Sequence, residues 1–124
     1  MSKVLEVDAN DWQKEVLESE VLTVVDFWHE HCSWCIKLNP VIEEVAKELE
    51  EVRFVKMNVL KTMDNRKIAI ENGIMSTPTL IFFCKGRSVS HHLGFLPKDD
   101  LKKKIEEIIE EYKACIRQST PLET

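Results

Sequence analysis

No stretch of the 124 residues approaches the roughly 20 consecutive apolar positions needed to cross a bilayer, so a membrane-spanning protein is not expected. There is no basic cluster either. Net charge is −5 and the lysines are interleaved with glutamates, which argues against nucleic acid or an anionic membrane as the main partner. The opening MSKVLEVDANDW lacks the apolar core of a secretory signal, and a cytoplasmic protein is the expectation. Repeats, linkers and low-complexity blocks are missing, so one domain is expected over residues 1–117, with 118–124 (QSTPLET) as a frayed tail. Cysteine is sparse. Of four, Cys84 and Cys115 stand alone in the sequence and are expected to be structural thiols, while Cys32 and Cys35 are three apart. Inside a cell structural disulfides are rare, so a close pair points to catalysis or to metal.

What is present is the balance of a globular protein: 44% apolar and 31% charged residues, in a chain long enough to bury a core without staples. Val4–Val7 reads as a short strand. Residues 10–18 carry Trp12, Val16 and Leu17 at helical spacing, with Asp8 or Asn10 as cap. The nearly continuous apolar run VLTVVDFW (21–28) suits a central strand covered on both faces. From Cys32 the period becomes helical, with Leu38, Val41, Ile42, Val45, Ala46 and Leu49 on one side and Pro40 interrupting it. Val52–Val59 is the next strand. Residues 63–72 form a helix between the cap Thr62 and the terminator Gly73. Thr79–Cys84 and Arg87–His92 flank the turn Lys85–Gly86 as a hairpin. A last helix begins near Pro97 or Lys98, with the stripe Leu101, Ile105, Ile108, Ile109, Tyr112 and Ile116. The order βαβαβαββα gives an α/β fold with a mixed sheet between helices.

The stretch HEHCSWC (29–35) can carry several chemistries. With Cys32 at the start of a helix, its sulfur faces unpaired N–H groups and the positive end of the helix dipole. A dipole contribution of about 1 kcal/mol would lower a cysteine pKa by roughly one pH unit. Cys35, one turn on, is placed to attack a mixed disulfide formed on Cys32. The plainer reading is a pair of inert buried thiols. The metal reading completes a tetrahedral set from Cys32, Cys35 and two histidines, or shares zinc or a cluster between two chains. Asp26 interrupts the apolar strand. It either faces a water pocket, caps a neighbouring element or, buried with a raised pKa, takes a proton from Cys35. His31 adjoins Cys32, where an imidazolium would favour the thiolate. His91 and His92 end the expected strand Arg87–His92, just before Gly94. Pro78 by itself reads as a strand-edge proline that stops ladder pairing.

Taken together, VVDFW (24–28), CSWC (32–35), Pro40, VKMNV (55–59), STPT (76–79), Gly86 and Gly94 make the chain resemble the thioredoxin family from about residue 3 to 113. The resemblance implies a thioredoxin fold, with a central five-stranded mixed sheet in order 1-3-2-4-5 and four flanking helices. It implies dithiol–disulfide exchange with Cys32 as nucleophile, Cys35 as resolving thiol and Asp26 as proton acceptor. It also implies a cis Thr77–Pro78 bond facing the cysteines. Trp34, His31, Met75, Thr77, Pro78 and Gly94 would then form a substrate surface, extended by Ile74 and Phe95. No cofactor is expected. The partners implied are disulfide-containing proteins and an upstream donor of the thioredoxin-reductase type, met by a monomer. The chain departs from the family pattern in having Ser33-Trp34 between the cysteines in place of Gly-Pro, and His31 in place of Trp. The acidic residue usual shortly after the VKMN segment is not evident. A more oxidising, isomerase-like protein and a redox-silent interaction module are the alternatives beside the metal reading.

Overall fold

The computed structural model describes residues 3–113. In it the apolar periods become β1 (Val4–Glu6), α1 (Ala9–Trp12, continued by a π-helical turn over Gln13–Leu17), β2 (Thr23–Trp28) and α2 (Ser33–Glu48). There follow β3 (Arg53–Asn58), α3 (Met63–Glu71), β4 (Thr79–Cys84), β5 (Arg87–Leu93) and α4 (Lys98–Glu111). The strands form one sheet in the order β1-β3-β2-β4-β5. Strand β2 lies at its centre, parallel to β3 and antiparallel to β4. The fold is α/β and of the expected topology.

Alternation along β2 builds two apolar layers. Leu22 and Val24 face α2 and α4, where they meet Leu38, Ile42, Leu101 and Ile105. Val25 and Phe27 face the other way, toward Trp12, Val16 and Ala69 of α1 and α3. The Trp12 ring lies 5.9 Å from that of Phe27 and 5.6 Å from that of Phe83. Each large side chain buried in these layers contributes about 1.5–3 kcal/mol. Because both faces of β2 are covered, the strand reads as an unbroken apolar run, with Asp26 as the exception.

Local signals place the ends of the elements. Thr62 caps α3, its Oγ1 accepting from the Asn65 N–H at 2.9 Å. The β4–β5 turn uses Lys85 at φ 51° and Gly86 at φ 86°, the left-handed pair that a two-residue hairpin favours. A Cβ at Gly86 would also stand 2.7 Å from the Leu17 carbonyl oxygen. The first helix differs from expectation. After Trp12 its winding widens, and the Glu18 N–H donates to Gln13 O, five residues back. Trp12 and Val16 are both buried against the sheet. Cys84 closes β4 and is buried, and none of the described cysteines is a free thiol. The expectation of an isolated structural thiol there is therefore corrected; no spacing motif marks Cys84 as engaged. Cys115, Ile116 and the expected tail lie outside the described residues. Among the described residues no helix is long and apolar enough to cross a membrane.

Candidate active site

Strands β2 and β3 end side by side, and the loop leaving β2 carries His29, Glu30 and His31 into α2. Cys32 is the N-cap of α2, with extended backbone (φ −101°, ψ 107°). Its carbonyl accepts from the Ile36 N–H at 3.1 Å, and its sulfur accepts from the Cys35 N–H at 3.1 Å. The sulfur therefore sits where a helix of 16 residues presents unpaired donors. Cys32 is half-buried, whereas Cys35, inside the first turn, is fully buried. The two are joined as a disulfide, with Cα atoms 5.2 Å apart.

Beneath α2, Asp26 is 1% exposed. By alternation it shares the face of Val24 and Leu80, the face covered by the helix carrying Cys35. Neither carboxylate oxygen has a hydrogen-bond partner among the described residues. Burial raises its pKa to about 7, against a smaller opposing pull from Lys56. Lys56 pairs with Asp26 in register, and its Nζ lies 5.0 Å from the centre of the Trp28 ring. The Trp28 indole N–H also lacks a partner among the described residues.

A cleft of about 390 Å³ opens beside the disulfide, lined by Trp34, Thr77, Pro78, Gly94 and Phe95. The Thr77–Pro78 bond is cis. The Gly94 N–H donates to Pro78 O at 2.8 Å, tying together the two loops that form one wall. Trp34, 55% exposed, stacks against Phe95 at 5.6 Å and has Lys37 Nζ 4.8 Å from its ring. The structure thus brings together Trp34, Thr77, Pro78 and Gly94 from the expected substrate surface, with Phe95. Met75 is 93% exposed and lines a neighbouring cleft with Ile74, His91 and Leu93. His31 is exposed on the loop, its N–H donating to His29 Nδ1 at 3.1 Å. His91 and His92 lie within β5, inside the expected strand Arg87–His92, paired with Ile81 and Leu80. Among the described residues, no three His, Cys, Asp or Glu side chains are grouped to hold a metal ion.

Sequence reasoning passes over Lys56, Glu30 and Asn58. The Asn58 amide donates to Glu30 Oε1 at 2.7 Å, linking the end of β3 to the cysteine loop. The signal for Lys56 is its register opposite Asp26, which requires the pairing of β2 with β3. Asn58 stands in VKMNV, a segment that the sequence marks only by its family likeness.

Comparison with known proteins gives a consistent answer. The thioredoxin family model matches residues 3–107. Thioredoxin 1 of Nostoc sp. is 36% identical over 107 residues, which cover 86% of this chain and 97% of that protein. The thioredoxin of Chlorobaculum thiosulfatiphilum is 38% identical over 108 residues, 86% and 97% of the two chains. That of Rickettsia felis is 40% identical over 96 residues, 77% and 89% of the two.

Proposed function

The chain belongs to the thioredoxin family and is a dithiol–disulfide oxidoreductase, and we propose that it reduces protein disulfides with Cys32 as nucleophile and Cys35 as resolving thiol. The observation that carries this reading is the asymmetry of the pair, one sulfur half-buried at the cap of α2 and the other fully buried one turn deeper. In the reduced protein the Cys32 thiolate attacks one sulfur of a substrate disulfide. The substrate S–S bond breaks, a mixed disulfide forms, and one substrate thiolate leaves. Cys35 then attacks Cys32 Sγ, which releases the second substrate thiolate and leaves the disulfide seen here. Asp26 takes the Cys35 proton for this second step, directly or through water. A carboxyl with a pKa near 7 is half ionised at neutral pH, suited to accepting a proton and returning it.

The cleft supplies the docking surface in this reading. Trp34, Thr77, Pro78 and Gly94 receive an extended substrate segment, with Met75 and His31 at its margins. Proteins of this family work with disulfide substrates and with a thioredoxin reductase. For this chain the donor is accordingly of the thioredoxin-reductase type, and the protein acts as a cytoplasmic monomer whose domain spans residues 1–117. Replacement of Cys35 by Ser removes the resolving step. The variant accumulates mixed disulfides with substrate on Cys32, detected as a mass increase that dithiothreitol reverses. Turnover that continued at the parental rate in Cys35→Ser would overturn the assignment. A redox potential measured against glutathione decides between reductant and isomerase-like oxidant.

A further inference from the structure

The loop that presents Cys32 is held from outside by one buried amide. Asn58 is 8% exposed and stands at the last β2–β3 register position, opposite Trp28. Each of its polar groups is engaged. The side-chain N–H₂ donates to Glu30 at 2.7 Å, Oδ1 accepts from the Leu60 N–H at 2.9 Å, and the backbone carbonyl accepts from Asn65 Nδ2 at 3.1 Å. Asn65 is itself fully buried; it donates to Asp8 Oδ1 and accepts from the Ala9 N–H. Two asparagines thus fasten the starts of α1 and α3 to the end of β3. From there, one hydrogen bond reaches Glu30, two residues before the nucleophile.

We infer that Asn58 is a positioning residue: it holds the Glu30 carboxylate beside Cys32 as a fixed negative charge that tempers the nucleophile. The proposal rests on Cys32 being the attacking sulfur. The Asn58 amide, and after it a backbone N–H, holds the Glu30 carboxyl below the usual carboxylate range, so it is ionised at neutral pH. A negative charge nearby disfavours a thiolate, opposing the helix dipole. Two residues of backbone hold the Cα atoms of Glu30 and Cys32 within about 7 Å, and the proposal sets the two charges at about that distance. At that separation in water the repulsion changes an ionisation constant about threefold. The other titratable groups around the pair are His29 and His31 on the same loop, Lys37 on α2, Asp26 on β2 and Lys56 on β3, all retained in the variants below. The arrangement keeps the dithiol less stable relative to the disulfide, which favours a reductant.

The test compares the reduced parent with Glu30→Gln, Asn58→Ala and the double variant by iodoacetamide alkylation across pH, with peptide mapping. Glu30→Gln keeps an acceptor for Asn58 and removes the charge. Its Cys32 midpoint falls by about 0.4 of a pH unit, the threefold change restated. The rate at pH 7 rises about twofold, since a thiolate of lower pKa is also a weaker nucleophile. Asn58→Ala frees the carboxylate and moves the midpoint the same way by less, and the double variant matches Glu30→Gln. The gap between parent and Glu30→Gln closes in 1 M salt, where the screening length is about 3 Å; a purely structural role would not respond in this way. The inference is overturned if Glu30→Gln leaves the midpoint unmoved, or if Asn58→Ala still shifts it in the Glu30→Gln background. Asn58→Ser serves the same comparison if the alanine variant unfolds. A parent in which Cys35 alkylates first would overturn the assignment of Cys32, and this inference with it; that outcome is read in the parent alone.

Discussion

Strand β2 buries two polar side chains three residues apart, and they are treated in opposite ways. Thr23, fully buried, donates to Ser19 Oγ at 2.9 Å and lies 3.1 Å from Val21 O. Asp26, 1% exposed, has no hydrogen-bond partner for either oxygen among the described residues. A buried hydroxyl with partners is ordinary architecture and costs the fold little. A buried carboxyl without them is expensive, and the expense appears as a pKa raised to about 7. The two ends of the strand therefore do different work. The amino end closes a core, and the carboxyl end holds a carboxyl whose pKa burial raises to about 7, beneath the helix that carries Cys35.

The largest effect expected from breaking this contrast comes from Asp26→Ala. The folded pKa of Asp26 lies above its unfolded value of 3.8, so the folded state binds the extra proton between about pH 4 and pH 7. Parental stability is therefore lost as pH rises through that window, because the unfolded chain ionises more easily. At pH 8 the penalty is complete. Three pH units at 1.36 kcal/mol each give up to about 4 kcal/mol. The stability advantage of Asp26→Ala over the parent should grow by up to this amount between pH 4 and pH 8, measured by urea unfolding of the oxidised forms. Resolution of the mixed disulfide should slow at least about tenfold at pH 7 in the same variant, as loss of a general base predicts. An advantage that does not change with pH would mean that Asp26 is not held protonated by burial.

Much of this contrast is legible in the order of the residues alone. The run VLTVVDFW announces a strand covered on both faces, and a carboxylate within it is conspicuous by chemistry. The pair Cys32–Cys35 ahead of a helical period, and Pro78 ahead of β4, are visible for the same reason: each depends on short-range spacing. Lys56 and Asn58 are not, because what matters about them is register. Lys56 faces Asp26, and Asn58 reaches Glu30, only once β3 has paired beside β2 with neither strand shifted. The π-wound turn after Trp12 is hidden for a related reason, since apolar residues at the same spacing are buried by an α-helix or by a wider turn. Met75 and Gly94 are 19 positions apart, and nothing in the sequence tells which cleft each borders. The structure sets Gly94 against Trp34 and Pro78 and sends Met75 to the adjoining cleft with Leu93.

A second, smaller intervention sharpens the comparison without touching Asp26. Lys56 is the group that offsets the burial of Asp26, opposite it in register. Lys56→Met keeps much of the apolar stem and removes the ammonium. The Asp26 pKa should then rise further, and the alkaline shift of the pH–rate profile for reduction should follow it by less than about one pH unit, since the lysine is half-buried and screened by water. Reductase turnover at pH 7 should fall by a few-fold and recover at higher pH. A uniform loss at every pH would instead assign Lys56 to substrate docking.

The smallest effect belongs to the satisfied end of the strand. Thr23→Val keeps the branched shape in a buried strand position and deletes one hydroxyl. Ser19 Oγ still has Val21 N–H at 3.4 Å and Val21 O at 3.3 Å, so no group is orphaned. The expected cost is that of one net hydrogen bond, about 1 kcal/mol, partly returned by the buried methyl. That cost should be the same at pH 4 and pH 8, because the hydroxyl and its partners, the Ser19 hydroxyl and the Val21 backbone, carry no titratable group, and the reduction rate should match the parent. The pH-independence is the informative part. If stability of Thr23→Val tracked pH as Asp26→Ala does, the two ends of β2 would be coupled through the strand, and the contrast drawn between a closed core and a buried carboxyl of raised pKa would fail.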